Sequence, residues 1–441
     1  LVLRDLEPIV PAGGRLVDDG PRALVVEPHA RTQLSFKLVA PAAGRVVLHG
    51  LAVLLEGPLG LFTVPLYFPN PLVIKVLPQA AARMRGAARA RTGQSVERSG
   101  AGLLQKGGGT ELKELREMLP GDPFKQIAWK PSARRGRLLV REVEQEVQET
   151  RYVICDVSGT MRGGGAGERK LDWAIEAIAA EARRALAAGD RFGLVTVDGR
   201  ILAHVAQGDG SAQMLRVFDA LLGATEVVDE DLTSLDDDEL LALVGQYVRR
   251  QDGIDFSTGT TWNVPGLLRH VAAALAEIGG REEAIVARSP PLVALRRFCR
   301  VRGIPLPYRS DPRDGSKAPG LGGALREADA RARGPAEMLV VTDLDAIGTP
   351  DALVGALRVA RLRGHTVTIV VLDSTSFVAP GDSPLARQVY DIYARGERRR
   401  ARDVSALVRP LGVRVRVMLR SESPALALAR ARGERRQRSV A

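Results

Sequence analysis

The sequence has few of the residues that build disulfide frameworks, zinc sites and base-stacking surfaces. Its 441 residues include two cysteines and five histidines, and aromatic residues make up 4% of the chain. The cysteines, Cys155 and Cys299, form no disulfide framework and suit a reducing compartment. The isolated histidines match no zinc spacing. No basic stretch is interleaved with aromatic residues, so a platform for single-stranded nucleic acid is not indicated.

The sequence also lacks the usual motifs of an enzyme and of a membrane span. It contains no Gly-x-Ser-x-Gly, no phosphate-binding loop with its lysine, and no Cys/His pair placed by a motif. We therefore expect a non-enzymatic protein. The remaining enzymatic alternative is a metal-assisted hydrolase with Asp172, Asp198 or Asp345 as its general base. No run of about twenty apolar residues is present, so no spanning helix is predicted within this sequence.

Basic residues exceed acidic ones and are clustered. Lysine and arginine total 63 against 52 for aspartate and glutamate, which gives a formal net charge of +11. The arginines concentrate at Arg83–Arg91, Arg395–Arg402 and Arg430–Arg438. Such clusters favour binding to nucleic acid or to an anionic membrane surface, and this is the alternative function that the sequence leaves open.

The most informative segment is an apolar strand pattern that ends in a row of oxygen-bearing side chains. Residues 152–155 are apolar, and Asp156, Ser158 and Thr160 follow them at alternate positions. Together they supply a carboxylate and two hydroxyls, which are the oxygen ligands that hard cations such as Mg²⁺ take. In the alternative, structural interpretation, Ser158 and Thr160 only cap the next helix.

The segments around this motif alternate between strand and helix. A helix is predicted from Lys170 to about Ala188, and apolar runs at 192–197, 338–343 and 365–372 have the length of strands. Apolar strands that alternate with helices predict an α/β fold with a mainly parallel sheet covered on both faces. Ligands of such sheets bind at the carboxyl ends of the strands, where the motif and Asp343 lie.

This arrangement resembles the von Willebrand factor A domain and its metal-ion-dependent adhesion site. The resemblance implies a Rossmann-like domain whose Asp-x-Ser-x-Ser motif is matched by residues 156–160, with threonine in the last position. It also implies a threonine from a second loop, for which Thr233 is the first candidate, Thr225 the next and the stretch 257–261 a more remote one. The implied ligands of Mg²⁺ (or Mn²⁺) are Asp156, Ser158, Thr160, Thr233 and Asp343.

A second motif lies upstream, between residues 109 and 150. Glu111–Asp122 leads into Ile127–Arg134, and a Gly-x-Leu-x-Val-Arg-Glu run follows at 136–142. The whole box resembles the sequence that precedes the A-type domain in the bacterial DUF58 family, with Met118 and Leu119 as a departure. The box is interpreted either as a structural collar, which is favoured for Trp129, or as a partner-docking surface. Its predicted partner-binding residues are Arg116, Asp122, Trp129, Arg134 and Arg141.

The predicted organisation has five parts. Residues 1–78, with short apolar runs between turns, form a small all-β sandwich, and residues 79–108 form a basic linker. The DUF58 box occupies 109–150. The A-type domain occupies 151–375, with an insertion at about 251–335, and residues 376–441 are basic and helical or disordered.

The predicted function is a non-enzymatic protein-binding module. The family resemblance implies a metal-dependent adaptor for a MoxR-type AAA+ ATPase in protein maturation or envelope stress. In that mechanism a carboxylate of the partner completes the coordination of the metal. The resemblance also implies membrane helices ahead of residue 1, and therefore a body at the cytoplasmic face of the bacterial inner membrane.

Overall fold

A computed structural model describes most of the chain, and every structural statement below refers to that part. It covers residues 2–9, 15–17, 23–27, 33–57, 60–79, 105–119, 124, 127–145, 148–225, 235–259, 261–276, 291–304, 306–307, 317–345 and 347–433.

The amino-terminal part consists of small antiparallel sheets. A four-stranded sheet has the order β3-β1-β5-β6, and β2 pairs with β4. The strands are β1 (Val2–Ile9), β2 (Arg15–Leu16), β3 (Ala23–Val25), β4 (Leu38–Val39), β5 (Gly44–Glu56) and β6 (Thr63–Val76). The all-β character agrees with the sequence prediction. The long β5–β6 hairpin differs from the predicted short runs, because its residues pair continuously except for a register shift between Leu48 and Gly50.

The DUF58 box forms a hairpin that encloses a short helix. Strand β7 (Gln105–Glu117) pairs antiparallel with β8 (Leu139–Gln145), and α1 (Trp129–Arg135) lies between them. Ser132 ties the helix to β8, because its hydroxyl donates to the carbonyl of Ala128 at 2.8 Å and accepts from the N–H of Leu139 at 2.9 Å. The predicted linker 79–108 overlaps β7 at its end, and its residues 80–104 lie outside the described part of the chain.

A six-stranded sheet forms the centre of the second part. Its order is β11-β10-β9-β14-β15-β16. All neighbours are parallel except β10 and β11. The strands are β9 (Thr150–Asp156), β10 (Arg191–Val197), β11 (Ile201–Gly208), β14 (Glu337–Thr342), β15 (Thr366–Leu372) and β16 (Arg414–Met418), with the small hairpin β12 (Ser257–Thr258) and β13 (Thr261–Trp262) outside it. Numbered within this sheet, the order is 3-2-1-4-5-6, that of a doubly wound domain whose ligand crevice lies between its first and fourth strands.

Helices cover both faces of this sheet, and for this reason its inner strands are mostly apolar. The helices that pack on the sheet are α2 (Lys170–Ala187), α3 (Gly210–Ala224), α7 (Lys317–Arg331), α8 (Asp351–Leu362), α9 (Pro384–Val408) and α10 (Pro424–Gly433). Three more helices, α4 (Asp237–Gln251), α5 (Val264–Ala276) and α6 (Pro291–Arg302), lie between α3 and α7 in the sequence. Helices α2, α3 and α10 share one hydrophobic core with the sheet. Helices α7, α8 and α9 share the core on the opposite face.

The observed boundaries correct two of the predicted ones. Strand β16 is the sixth strand of the main sheet and α10 packs in its core, so the domain that contains the sheet runs past residue 375 to residue 433. The predicted insertion at 251–335 is also placed too late. Helices α4, α5 and α6 form a separate hydrophobic core, whereas α7 packs on the main sheet. None of the helices described has the length and apolar character needed to cross a membrane.

Candidate functional site

The two aspartates predicted to form the site meet at the carboxyl ends of neighbouring parallel strands. Asp156 is the last residue of β9, and Asp343 follows directly after β14. Pairing of β9 with β14 in register places these strand ends side by side, with Val341 opposite Cys155. Both carboxylates are buried, at 1% and 0% exposure. The crevice of the doubly wound sheet therefore holds two buried negative charges.

Asp156 is held by its own loop and by the neighbouring strand. Its Oδ1 accepts from the backbone N–H of Ser158 at 3.0 Å, and its Oδ2 accepts from the hydroxyl of Thr342 at 2.7 Å. The Oγ atoms of Ser158 and Thr160 lie 3.4 Å apart. Ser158 begins the short 3-10 turn at 159–162 without a side-chain capping bond, and α2 starts only at Lys170. The capping interpretation of this serine is therefore wrong.

A lysine from a helix distant in sequence lies between the side-chain oxygens of Asp156, Thr160 and Asp343, which we call the oxygen cluster. Lys317, the first residue of α7, places its Nζ 2.8 Å from Asp156 Oδ2 and 2.6 Å from Thr160 Oγ1. The same Nζ also pairs with Asp343 Oδ1. An ammonium group has three N–H donors, and these three oxygens accept all of them. Lys317 therefore links three of the residues that the sequence predicts as metal ligands.

A second lysine closes the other side of Asp343. Lys170, the first residue of α2, lies 2.6 Å from Asp343 Oδ2 and 2.8 Å from the hydroxyl of Ser374. Its Nζ also lies 3.5 Å from Asp345 Oδ2. Two ammonium groups and the two carboxylates of Asp156 and Asp343 thus form a compact, buried and charge-balanced cluster. We call Asp156, Asp343, Lys170 and Lys317 the ion-pair cluster.

The pKa values of the cluster follow from burial and from these contacts. Burial opposes the charge on Lys317, but the carboxylates of Asp156 and Asp343 outweigh it and raise the pKa of this lysine above its usual range. Burial likewise acts to raise the pKa of Asp343, whereas the two nearby lysines hold it below its usual range. Both groups are therefore charged at neutral pH, and each stabilises the charge of the other.

Asp345 connects the ion-pair cluster to helix α9. Its carboxylate accepts from Arg400 at 2.7 Å, from the hydroxyl of Tyr393 at 3.2 Å and from the hydroxyl of Ser374 at 3.0 Å. Burial raises the pKa of Tyr393 to about 12, so its hydroxyl keeps the proton that it donates. Asp345 is thus fully engaged in hydrogen bonds and ion pairs. Asp172, another candidate general base, accepts from the backbone N–H groups of Gly167 and Arg169.

The oxygen set does not fit a divalent cation in this arrangement. A metal bound by Asp156, Thr160 and Asp343 would occupy the place of the Lys317 ammonium, and the negative charge of the two aspartates is already balanced by two lysines. In the described part of the chain, no group of three or more His, Cys, Asp or Glu side chains is arranged to hold a metal. Binding of Mg²⁺ or Mn²⁺ stays a prediction from family resemblance.

The predicted threonine ligands divide into three cases. Thr233 lies outside the described residues. The hydroxyl of Thr225 donates to the carbonyl of Leu222 at 2.7 Å, as expected for the end of helix α3. In the stretch 257–261, the two short strands of the β12–β13 hairpin pair with each other. The residue that does complete the oxygen cluster is Thr342, whose position before Asp343 on β14 is its only signal in the sequence.

The structure places the predicted docking residues of the DUF58 box only in part. Trp129, for which the structural collar is the favoured interpretation, is 65% exposed at the start of α1. Arg134 is exposed on the same helix. Asp122 lies outside the described residues, as do the side chains of Arg116 and Arg141. The exposed tryptophan favours the docking interpretation of the box.

Comparisons with known proteins agree with the family predicted from the box. Residues 114–251 match the model of the family described as "Protein of unknown function DUF58". The predicted resemblance to DUF58 is thus confirmed over these residues, and the doubly wound sheet agrees with the predicted Rossmann-like fold of the domain behind the box. No protein among the curated ones matches the chain.

Three solved structures share a broad likeness with the chain. The conserved hypothetical protein BatB from Bacteroides thetaiotaomicron is 9% identical, with 65% of this chain and 98% of that chain covered and a TM-score of 0.29. A von Willebrand factor type A protein from Catenulispora acidiphila is 11% identical (66% and 42% covered, TM-score 0.26). The pilus adhesin SpaC from Lactobacillus rhamnosus GG is 12% identical (65% and 31% covered, TM-score 0.28). These scores are too low to transfer a function.

Proposed function

We propose that this chain is a non-enzymatic adaptor that binds a partner protein through helix α9. The supporting observation is a strip of large apolar side chains at the start of this helix. Leu385, Val389 and Ile392 are 70%, 58% and 70% exposed. Their spacing of four and three residues places them on one face of the helix, next to one another. Adjacent exposed apolar side chains of this size mark protein-binding surfaces. We call these three residues the α9 strip.

Helix α9 is fixed to the candidate site, and this gives the strip a defined position. Tyr393 and Arg400 both bind Asp345, and the hydroxyl of Tyr390 donates to the carbonyl of Thr375 at 3.0 Å. The helix follows β15 and begins near the carboxyl ends of the sheet strands, where Asp156 and Asp343 lie. A rigid position lowers the entropic cost of binding a partner. The strip therefore lies on a helix that is held to the ion-pair cluster through Asp345.

The charges around the strip indicate the chemistry of the partner. The exposed arginines on α9, which are Arg387, Arg395, Arg398, Arg399 and Arg402, outnumber its exposed acidic residues, Asp391 and Asp403. A matching surface combines an apolar centre with an acidic rim, since complementary charge speeds association and selects the partner. The family resemblance supplies the identity of the proposed partner, a MoxR-type AAA+ ATPase acting in protein maturation or envelope stress. In the same proposal the complex forms at the cytoplasmic face of the inner membrane.

The test is a binding measurement between the purified chain and the MoxR-type ATPase of the same organism. Leu385→Asp and Ile392→Asp each place a charge in the strip, and the matched control is Leu362→Asp. Leu362 is 82% exposed at the end of α8, and helix α8 leads back to the opposite edge of the sheet. We expect each strip variant to weaken binding by a factor of about 30, the loss that corresponds to about 2 kcal/mol at an interface hot spot.

Two results would contradict this proposal. Binding that is equally strong in wild type and strip variants would exclude α9 as the docking surface, as would an equal loss in the Leu362→Asp control. The arginines of α9 also support the alternative of an anionic nucleic-acid or membrane ligand. In that case binding to DNA or to anionic vesicles would fall steeply with salt and would not depend on Leu385.

A further inference from the structure

The centre of the oxygen cluster is already occupied by a cation that belongs to the protein. Lys317 Nζ contacts one oxygen each of Asp156, Thr160 and Asp343, from two different strand ends. A divalent ion bound by the same three side chains would have its centre at this position, because metal and ammonium both lie within about 3 Å of the oxygens that they contact. Mg²⁺ and Lys317 Nζ therefore compete for one place.

The fold commits Lys317 to this position. The next residue, Ala318, is fully buried in the core between α7 and the sheet, as is Leu321 one turn later. Gly320 touches the backbone carbonyl of Asp198 so closely that any side chain there would collide with it. The side chain of Lys317 is 2% exposed. The start of α7 cannot withdraw without separating it from the sheet.

The position of Lys317 within its helix is unfavourable unless the carboxylates are counted. Lys317 is the first residue of α7, where the helix dipole disfavours a positive charge. A buried ammonium also loses its hydration, which is costly without paired charges. Asp156 and Asp343 supply those charges, and Lys170 balances the second charge of the pair. The charge of Lys317 is therefore stabilised by the carboxylates and not by its position in the helix.

We infer that the ammonium group of Lys317 replaces the divalent cation at the carboxyl edge of this sheet, so that the site is assembled, and the domain binds its partner, without a metal. The part of this inference that concerns the partner rests on the proposed adaptor function. The part that concerns the metal stands on the contacts of Lys317 alone. It follows that removal of this lysine opens an oxygen-lined cation site at Asp156, Thr160 and Asp343.

The experiment titrates Mn²⁺ into the purified full chain and follows the loss of the free-ion signal by electron paramagnetic resonance. Calorimetry with Mg²⁺ supplements it. The wild type is compared with Lys317→Ala and with the double variant Lys317→Ala/Asp343→Asn, which removes one ligand charge from the opened site. The matched control is Lys130→Ala, which removes an exposed lysine from α1.

We expect wild type and Lys130→Ala to bind no Mn²⁺ up to millimolar concentrations. Lys317→Ala is expected to gain one site with a Kd of about 10⁻⁴–10⁻³ M, as in weak oxygen-ligand sites, and to unfold at a higher temperature when Mg²⁺ is added. The double variant should show neither the Mn²⁺ site nor the rise in unfolding temperature with Mg²⁺. Stoichiometric binding by wild type that Asp156→Ala abolishes would overturn the inference, as would a folded Lys317→Ala variant that gains no site.

Two further measurements keep the outcomes distinct. If Lys317→Ala does not fold, the wild-type titration still tests the inference. Lys317→Gln, which keeps part of the buried stem, then replaces Lys317→Ala in the test for a gained cation site. Capture of the nucleotide-free ATPase is measured separately, once in EDTA and once with an excess of Mg²⁺. Loss of capture in EDTA, restored by Mg²⁺, would overturn metal independence and leave the adaptor function standing. Failure of capture with and without metal would overturn the adaptor function and leave the wild-type titration valid.

Discussion

Replacing Lys317 by methionine should measure how strongly the ion-pair cluster stabilises the domain. Methionine keeps an unbranched, apolar stem of similar length at this buried position and removes the ammonium group. The side chain of Lys317 is 2% exposed, so solvent does not screen the two charges that it leaves behind. Removal of one partner from a buried ion pair typically costs about 3–5 kcal/mol.

The remaining contacts place the expected loss at the lower end of that range. Asp343 keeps Lys170 at 2.6 Å, and Asp156 keeps the hydroxyl of Thr342 at 2.7 Å and the N–H of Ser158 at 3.0 Å. We therefore expect a loss of about 3 kcal/mol in the free energy of unfolding. For a domain of about 280 residues, that corresponds to a fall of about 5 °C in the unfolding temperature.

Differential scanning calorimetry at neutral pH without divalent metal is the appropriate assay, with Lys130→Met as the control. Lys130 is exposed on α1, so its substitution should change stability by no more than about 0.5 kcal/mol. The double variant Lys317→Met/Asp156→Asn removes the uncompensated carboxylate and should recover about 1–3 kcal/mol of the loss. Equal unfolding temperatures for Lys317→Met and Lys130→Met would refute the reasoning, because the ammonium would then not stabilise the two carboxylates.

Two further predictions concern titratable groups. Burial raises the pKa of Cys299 to about 12 and the pKa of Cys155 further still, so neither thiol of the native protein should react with Ellman's reagent at neutral pH, and both should react after denaturation. A rapid native reaction would contradict the packing of α6 or β9. The stability contributed by Asp343, whose pKa is lowered, is present above its unfolded value of about 3.9 and is lost as pH falls through the folded value. The stability contributed by Lys317, whose pKa is raised, is present below the unfolded pKa of about 10.4 and is lost as pH rises through the folded pKa. We therefore measure the free energy of unfolding in urea for wild type and Lys317→Met as a function of pH. The two proteins should differ most between these two pKa values and converge at lower and at higher pH. A difference that does not change with pH would contradict the assignment of the stability to these charges.

Much of the central sheet could be predicted from the sequence, because its signal is local. The strands at 150–156, 191–197, 337–342 and 366–372 are mostly apolar, as is typical of a parallel sheet covered on both faces. Helix α2 ends within a residue of its predicted end, since its apolar positions recur with helical spacing. The edge strand β16 alternates arginine with valine and is only half-buried, so its pattern was hidden in a basic segment.

Helix α7 could not be predicted, because its own residues oppose a helix. Its first seven residues include Pro319, Gly320, Gly322 and Gly323, all poor helix formers. Two of these glycines are needed for packing: Gly320 lies against the carbonyl of Asp198, and Gly322 lies against the backbone at Ala352. Close tertiary contact thus outweighs local propensity. The one signal in the sequence was a single lysine in front of a run of small residues.

The sequence by itself determined that the carboxylates of Asp156 and Asp343 lie at the same edge of the sheet. Asp156 and Asp343 end apolar runs, and parallel strands bring such ends to one edge wherever the rest of the chain goes. The tertiary structure decided which cation lies between them. Lys317 is separated from Thr160 by 157 positions and Lys170 from Asp343 by 173, and no periodicity or spacing connects residues at such distances. Only the packing of α7 and α2 against the sheet brings their ammonium groups to the carboxylates. The reason is that an ion pair depends on the distance between two groups in the folded protein and not on their separation in the sequence.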